Sequence, residues 1–90
     1  HRRAALLGYC FGRRGARARP GCVEGRNLRL GPQGIVFDVD TPWGRATLES
    51  PLLGAFNAAN LLGSLATLLA SDVGLAAAVA ALEKVEAVPG

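Results

Sequence analysis

From Ser50 to Ser71 the chain carries no charged side chain, and this run of 22 residues sets the first limit on what the sequence can form. Its length matches the roughly 20 apolar residues that a membrane-crossing helix needs. Its contents do not. Pro51, Asn57 and Asn60 fall inside it and Gly54, Gly63, Ser64 and Thr67 dilute it, and carboxamides are costly to place in hydrocarbon. The run reads instead as a strand end followed by a helix buried by protein, with no membrane span. Leu61, Leu65, Leu68 and Leu69 recur at helical spacing between Asn57 and Ala70, and alanine covers much of the remainder. Gly63 and Ser64 offer a close-packing edge, so this helix is expected to be buried nearly all round. Asp72 and Gly74 break it. A second, amphipathic helix follows. Leu75, Ala78, Val79, Leu82 and Val85 line one side, Glu83, Lys84 and Glu86 the solvated side, and Pro89 and Gly90 close it.

The first half is patterned differently. Ala4 to Phe11 is a short apolar run that reads as a buried strand, and Gly12 to Gly21, rich in Arg, Gly and Pro, as an exposed loop. Val23 to Leu30 follows as a strand with Leu28 and Leu30 on one face. Gly31-Pro32-Gln33-Gly34 is a turn signal. Beyond it Ile35, Phe37 and Val39 alternate with Val36, Asp38 and Asp40, the period-2 pattern of a half-buried antiparallel strand. Thr41-Pro42-Trp43-Gly44 makes the next turn, and Arg45, Thr47 and Glu49 alternate with Ala46 and Leu48 on the return. The expected fold class is therefore α+β: a small antiparallel sheet over residues 1–54, then two helices over 55–90. One four-stranded sheet of this size is not expected to cover both helices, so the segment should lean on the rest of a longer polypeptide.

Charge is uneven. Residues 1–30 hold eight arginines against Glu24 alone, whereas residues 31–90 hold Arg45 and Lys84 against six acids. The loop Arg13 to Arg19 could grip phosphates, which leaves a small basic RNA- or partner-binding module as one reading. RNA readers usually interleave aromatics or present a basic helix, and this loop has neither, so a solvated or interdomain loop without nucleic acid is preferred. Cys10 and Cys22 lack a second pair or a histidine partner, so no metal site is expected; two thiols without a secretory signal fit a reducing, cytoplasmic setting. Only Ala4–Leu7 could form the apolar core of a signal peptide. The lone histidine, His1, is terminal and is given no role. No GxxxxGK[ST] loop, no GxGxxG and no nucleophile–histidine pair occurs, so no catalytic residue is assigned. Asp38 and Asp40 read as a solvated strand face.

The most informative stretch is Gly54-Ala55-Phe56-Asn57-Ala58-Ala59-Asn60-Leu61-Leu62. Two amides stand at the start of a greasy helix. Asn57 can serve as an N-cap with Asn60 answering it three residues on, as in a capping box. The same amides can read a nucleotide base, because a carboxamide offers a donor and an acceptor to adenine's amino group and ring nitrogen. Both readings stay open on the sequence.

These residues carry a resemblance. Thr41-Pro42-Trp43-Gly44, Pro51 through Leu62, and the final Val88-Pro89-Gly90 resemble the Mur ligases, above all the MurE type, whose pattern is Gly-x-(Phe or His)-Asn-x-x-Asn, two helices and a Pro-Gly-Arg-x-Glu hinge. Phe56 rather than histidine fits the MurE type. The resemblance implies a piece of the central, P-loop-type ATP-binding domain of an enzyme of bacterial peptidoglycan synthesis. Such an enzyme joins meso-diaminopimelate or L-lysine to the UDP-N-acetylmuramoyl-L-Ala-D-Glu substrate. It uses ATP and magnesium, in the cytoplasm, with Asn60 at adenine and Asn57 supporting the pocket. The phosphate loop and the magnesium ligands should lie outside these residues. A MurT-type subunit, which shares the FNxxN signature, is the sibling reading and would carry a cysteine-rich zinc insertion upstream.

Overall fold

The computed structural model describes residues 8–12 and 21–85. Ala4–Leu7, the Arg13–Arg19 loop, His1 and Val88-Pro89-Gly90 lie outside the described residues. Four strands, β1 (Gly8–Phe11), β2 (Cys22–Gly31), β3 (Gly34–Thr41) and β4 (Gly44–Ser50), form one sheet in that order, followed by α1 (Ala55–Ala70) and α2 (Leu75–Glu83). No helix among the described residues is long and apolar enough to cross a membrane.

The alternation seen in the sequence places β3 at the centre of the fold. Ile35, Phe37, Val39 and Thr41 are buried and the residues between them half-buried. Leu48 faces the same way from β4 and Val23 from β2. Two tight hairpins set the register. Pro32-Gln33 joins β2 to β3, and Gly34 must be glycine: a Cβ there would collide with the Ser50 carbonyl, and its φ is +146°. Pro42-Trp43 joins β3 to β4, with the Thr41 hydroxyl donating to the Gly44 carbonyl (2.8 Å) and accepting from the Trp43 amide (3.0 Å).

The sheet is mixed, not wholly antiparallel as expected: β1 runs parallel to β2. Parallel neighbours cannot be joined by a tight turn, and ten residues separate Phe11 from Cys22 in the sequence. Nor is β1 a buried strand. It is an edge, with Tyr9 exposed and its other residues half-buried. Leu28 and Leu30 differ too. The second half of β2 is exposed, so both leucines stand in solvent. The strand bulges between Arg26 and Arg29, where Asn27 takes φ 55°, a conformation asparagine tolerates better than most residues.

Both helices share one sheet face, against the expectation that a sheet this small could not cover them. α1 packs on β1 and β2, α2 on β4 and on α1. One core cluster joins Phe37, Ile35, Leu48 and Val23 to Leu62, Leu65, Leu69, Ala78 and Val79. Alanine at the helix contacts and the shortness of α2 let the two lie side by side. α1 is not buried all round: Phe56, Ala59, Asn60, Ser64 and Thr67 form an exposed strip. α1 ends in a Schellman motif, with Val73 N–H donating to the Leu68 carbonyl and Asp72 N–H to that of Leu69, while Asp72 adopts φ 66°. α2 ends earlier than the periodicity suggests, leaving Val85 outside it and exposed. Glu83 is not free in solvent; its carboxylate accepts the Glu49 amide of edge strand β4 at 2.9 Å, which ties α2 to the sheet and covers part of an open edge.

On the opposite face, Asp38 accepts hydrogen bonds from the Asn27 amide (2.8 Å) and the Thr47 hydroxyl (2.9 Å). Those two bonds, with Arg29 nearby, hold its carboxyl below the ordinary value of 3.8 against a partial desolvation. A carboxyl depressed in the folded state contributes stability above its unfolded pKa and loses it as pH falls through the lower folded pKa. Asp38→Asn should therefore melt below the wild type at pH 7, with the gap closing once pH is well below 3.8. Melting curves across pH 2–7 check this. The gap should be modest, because the Asp38 side chain is 41% exposed. A gap of constant size down to pH 2 would remove the carboxylate from the account. Asp40 faces Arg45 at 3.7 Å. Glu24, nearly fully buried, is paired with Arg26 at 2.9 Å.

Candidate functional site

The two asparagines of α1 do different things. The helix begins one turn earlier than an Asn57 cap requires. Gly54, at φ 90°, is the N-cap residue and supplies no side-chain cap, and Asn57 is the third helical residue. Its Nδ2 reaches back to donate to the Leu53 carbonyl at 2.7 Å, which pins the chain entering the helix. The capping-box pairing of Asn57 with Asn60 is therefore absent. The cause lies in the entry: a glycine able to hold positive φ starts the helix directly, and Asn57, already helical, turns its amide to a carbonyl of the incoming chain.

Asn60 lies three residues on, exposed, and its side chain is not drawn into the helix start. It lines a shallow groove of about 480 Å³ on the outer side of α1, with Tyr9, Gly63, Ser64, Thr67 and Leu82 among its other walls. The groove is built from three places in the sequence. α1 forms the floor, β1 brings Tyr9, and α2 brings Leu82. Tyr9 pairs with Val23 in the parallel register and so points to the helix side of the sheet. Its ring tip rests over Gly63: a Cβ on that glycine would sit 3.0 Å from the Tyr9 hydroxyl and 3.1 Å from Cζ. Glycine inside a helix costs about 1 kcal/mol relative to alanine, and here the space it leaves is filled by an aromatic ring. The Thr67 hydroxyl is turned inward to the Gly63 carbonyl (2.9 Å), so it presents its methyl rather than a free donor.

None of the described residues lining the groove is charged. Asn60 supplies a donor and an acceptor in fixed relation, and Tyr9 supplies a flat apolar surface. This chemistry suits the edge and face of a neutral heterocycle, not a phosphate. No group of three or more His, Cys, Asp or Glu among the described residues could hold a metal ion, and Asp38 and Asp40 are occupied by the partners given above. The sequence reading singled out Asn60 but not Tyr9. Gly63 in mid-helix was the available signal, since a glycine there asks what presses against it.

The comparisons with known proteins say which class this sheet-and-helix unit resembles. No family model matches the chain. UDP-N-acetylmuramoyl-L-alanyl-D-glutamate–2,6-diaminopimelate ligase from Alkalilimnicola ehrlichii is 46% identical over 68 residues, 76% of this chain and 14% of that protein. The ligase of the same name from Ralstonia nicotianae is 47% identical over 68 residues, 76% of this chain and 13% of that protein. A solved structure of such a ligase superposes with a TM-score of 0.71 at 28% identity, covering 91% of this chain and 16% of its own. MurF from Acinetobacter baumannii gives a TM-score of 0.70 at 31% identity, over 76% of this chain and 15% of its own.

The chain thus matches a segment of these amino-acid ligases. It belongs to the Mur ligase family, with its sequence relatives in the MurE type. It spans about 14% of the length of the curated relatives it matches.

Proposed function

We propose that this segment forms the adenine side of the ATP site in the central domain of a MurE-type ligase that works in the cytoplasm. The intact enzyme would join diaminopimelate, or lysine, to UDP-N-acetylmuramoyl-L-alanyl-D-glutamate in peptidoglycan synthesis. The observation that supports the base-binding role is Asn60, exposed in an uncharged groove beside an aromatic ring. The likeness to ligases named for that reaction supports the rest.

In this reading ATP transfers its terminal phosphoryl group to the substrate carboxylate, releasing ADP. The incoming amine attacks the acyl carbon, phosphate leaves, the amine proton is lost and an amide bond forms. Magnesium would neutralise charge on the transferring phosphates, held by residues of the enzyme outside this segment. Asn60 orients the base, and Asn57 keeps the start of α1 in place through Leu53. Both actions are remote from the reacting carboxylate.

The test is an assay of phosphate release and amide formation, run on the intact parent enzyme and on the isolated chain. The parent should release one phosphate per amide formed, only when UDP-N-acetylmuramoyl-L-alanyl-D-glutamate, diaminopimelate or lysine, and ATP are all present. The isolated chain should show no turnover. A parent inert with both amino acids would overturn the substrate assignment, and turnover by the chain alone would overturn its role as a partial site.

A further inference from the structure

We propose that Tyr9 is the stacking platform for the purine base of ATP, with its ring covering one face of the base while Asn60 reads the edge. This rests on the assignment of the groove to adenine and adds to it a residue from a different element, 51 positions away in sequence, that no asparagine motif includes.

Four observations carry it. Tyr9 is 55% exposed although it points to the helix side of the sheet, so one surface of its ring is open. The ring tip is seated against Gly63, where a Cβ would lie 3.0 Å from the Tyr9 hydroxyl and crowd it. Asn60 and Tyr9 line the same groove, and its volume of about 480 Å³ falls within the roughly 300–1,000 Å³ usual for small-molecule sites. Finally, the floor between them is made of small or inward-turned groups, Gly63, Ser64 and Thr67, so a planar ring can lie close to the helix. The lack of charge on the described lining selects the base over the phosphates. An aromatic face recognises any base, so Tyr9 supplies affinity and Asn60 the choice of adenine.

The experiment measures binding of ATP, GTP and inorganic tripolyphosphate to the intact enzyme, as wild type, Tyr9→Phe, Tyr9→Leu, Gly63→Ala and Asn60→Ala, with melting temperatures alongside. Loss of stacking should weaken ATP about tenfold in Tyr9→Leu, and Gly63→Ala, which only crowds the ring tip, should act in the same direction by less. Tyr9→Phe should stay within about twofold of wild type, because the ring and not the hydroxyl does the stacking. Tripolyphosphate, which has no base, should bind all variants alike. Asn60→Ala should erase the preference for ATP over GTP, whereas Tyr9→Leu should weaken both nucleotides. If Asn60→Ala weakens ATP and Tyr9→Leu does not, the stacking role is wrong and the adenine site stands. If Tyr9→Leu weakens ATP and tripolyphosphate equally with a lower melting temperature, Tyr9 is structural only. If neither variant affects ATP, the adenine assignment itself fails.

Discussion

Replacing Asn60 with alanine in the intact ligase should raise the Michaelis constant for ATP by about tenfold, within the 1–3 kcal/mol that a paired donor–acceptor contact to adenine supplies. The turnover number should change little. The base lies far from the phosphoryl group being transferred, so its contacts are made equally in the ground and transition states, and losing them affects KM alone. The side chain is exposed on the outer strip of α1, so the substitution to a good helix former should not lower the melting temperature. Steady-state kinetics with ATP varied and the other substrates saturating give the answer. An unchanged KM would remove Asn60 from the nucleotide site, and a fall in turnover at constant KM would place it near the chemistry instead. Asn57 should behave differently, because its amide is committed to the Leu53 carbonyl and its loss acts first on the helix entry.

Phe37→Ala should be strongly destabilising. Phe37 is fully buried at the middle of β3. It meets Phe11 edge to face, with centroids 5.2 Å apart at 82°. Truncating a buried phenylalanine costs about 3–5 kcal/mol, against a total stability of roughly 5–15 kcal/mol for a domain. The urea midpoint of the chain should fall by on the order of 2 M. Phe56→Ala is the matched control. Phe56 is 78% exposed, so its truncation should stay within about 0.5 kcal/mol. Equal effects at the two positions would mean that the sheet face described here is not the core.

The contrast between those phenylalanines marks what the sequence could and could not convey. Phe37 sits in a strict alternation between two glycine-bounded turns, and a period of two assigns its face without further information. Phe56 sits at the start of an apolar helix, where burial depends on what covers that helix. The direction of β1 is likewise not readable, since the residues of a short strand fit a parallel or an antiparallel neighbour alike. Asn57 misled as a cap because asparagine favours that position in general, while Gly54 in a left-handed conformation took it here. Asp72 and Gly74 did announce the break between the helices, and the break is a Schellman turn centred on Asp72.

For the site, the sequence supplied the amides and the structure supplied their neighbour. Residues far apart in a chain come together only through packing, and Tyr9 comes to line the same groove as Asn60 through a parallel strand pairing that no local pattern encodes. Gly63 was the one local trace of it. Its smallness offers a packing edge, and the Tyr9 ring is seated on it.

The central claim is that the exposed strip of α1 holds the base of ATP. A crystal structure of the intact enzyme with a non-hydrolysable ATP analogue tests it most directly. The account predicts the adenine lying in the groove, its amino group and a ring nitrogen within hydrogen-bond distance of the Asn60 carboxamide. An analogue bound with its base elsewhere, and this strip of α1 packed against protein, would contradict it.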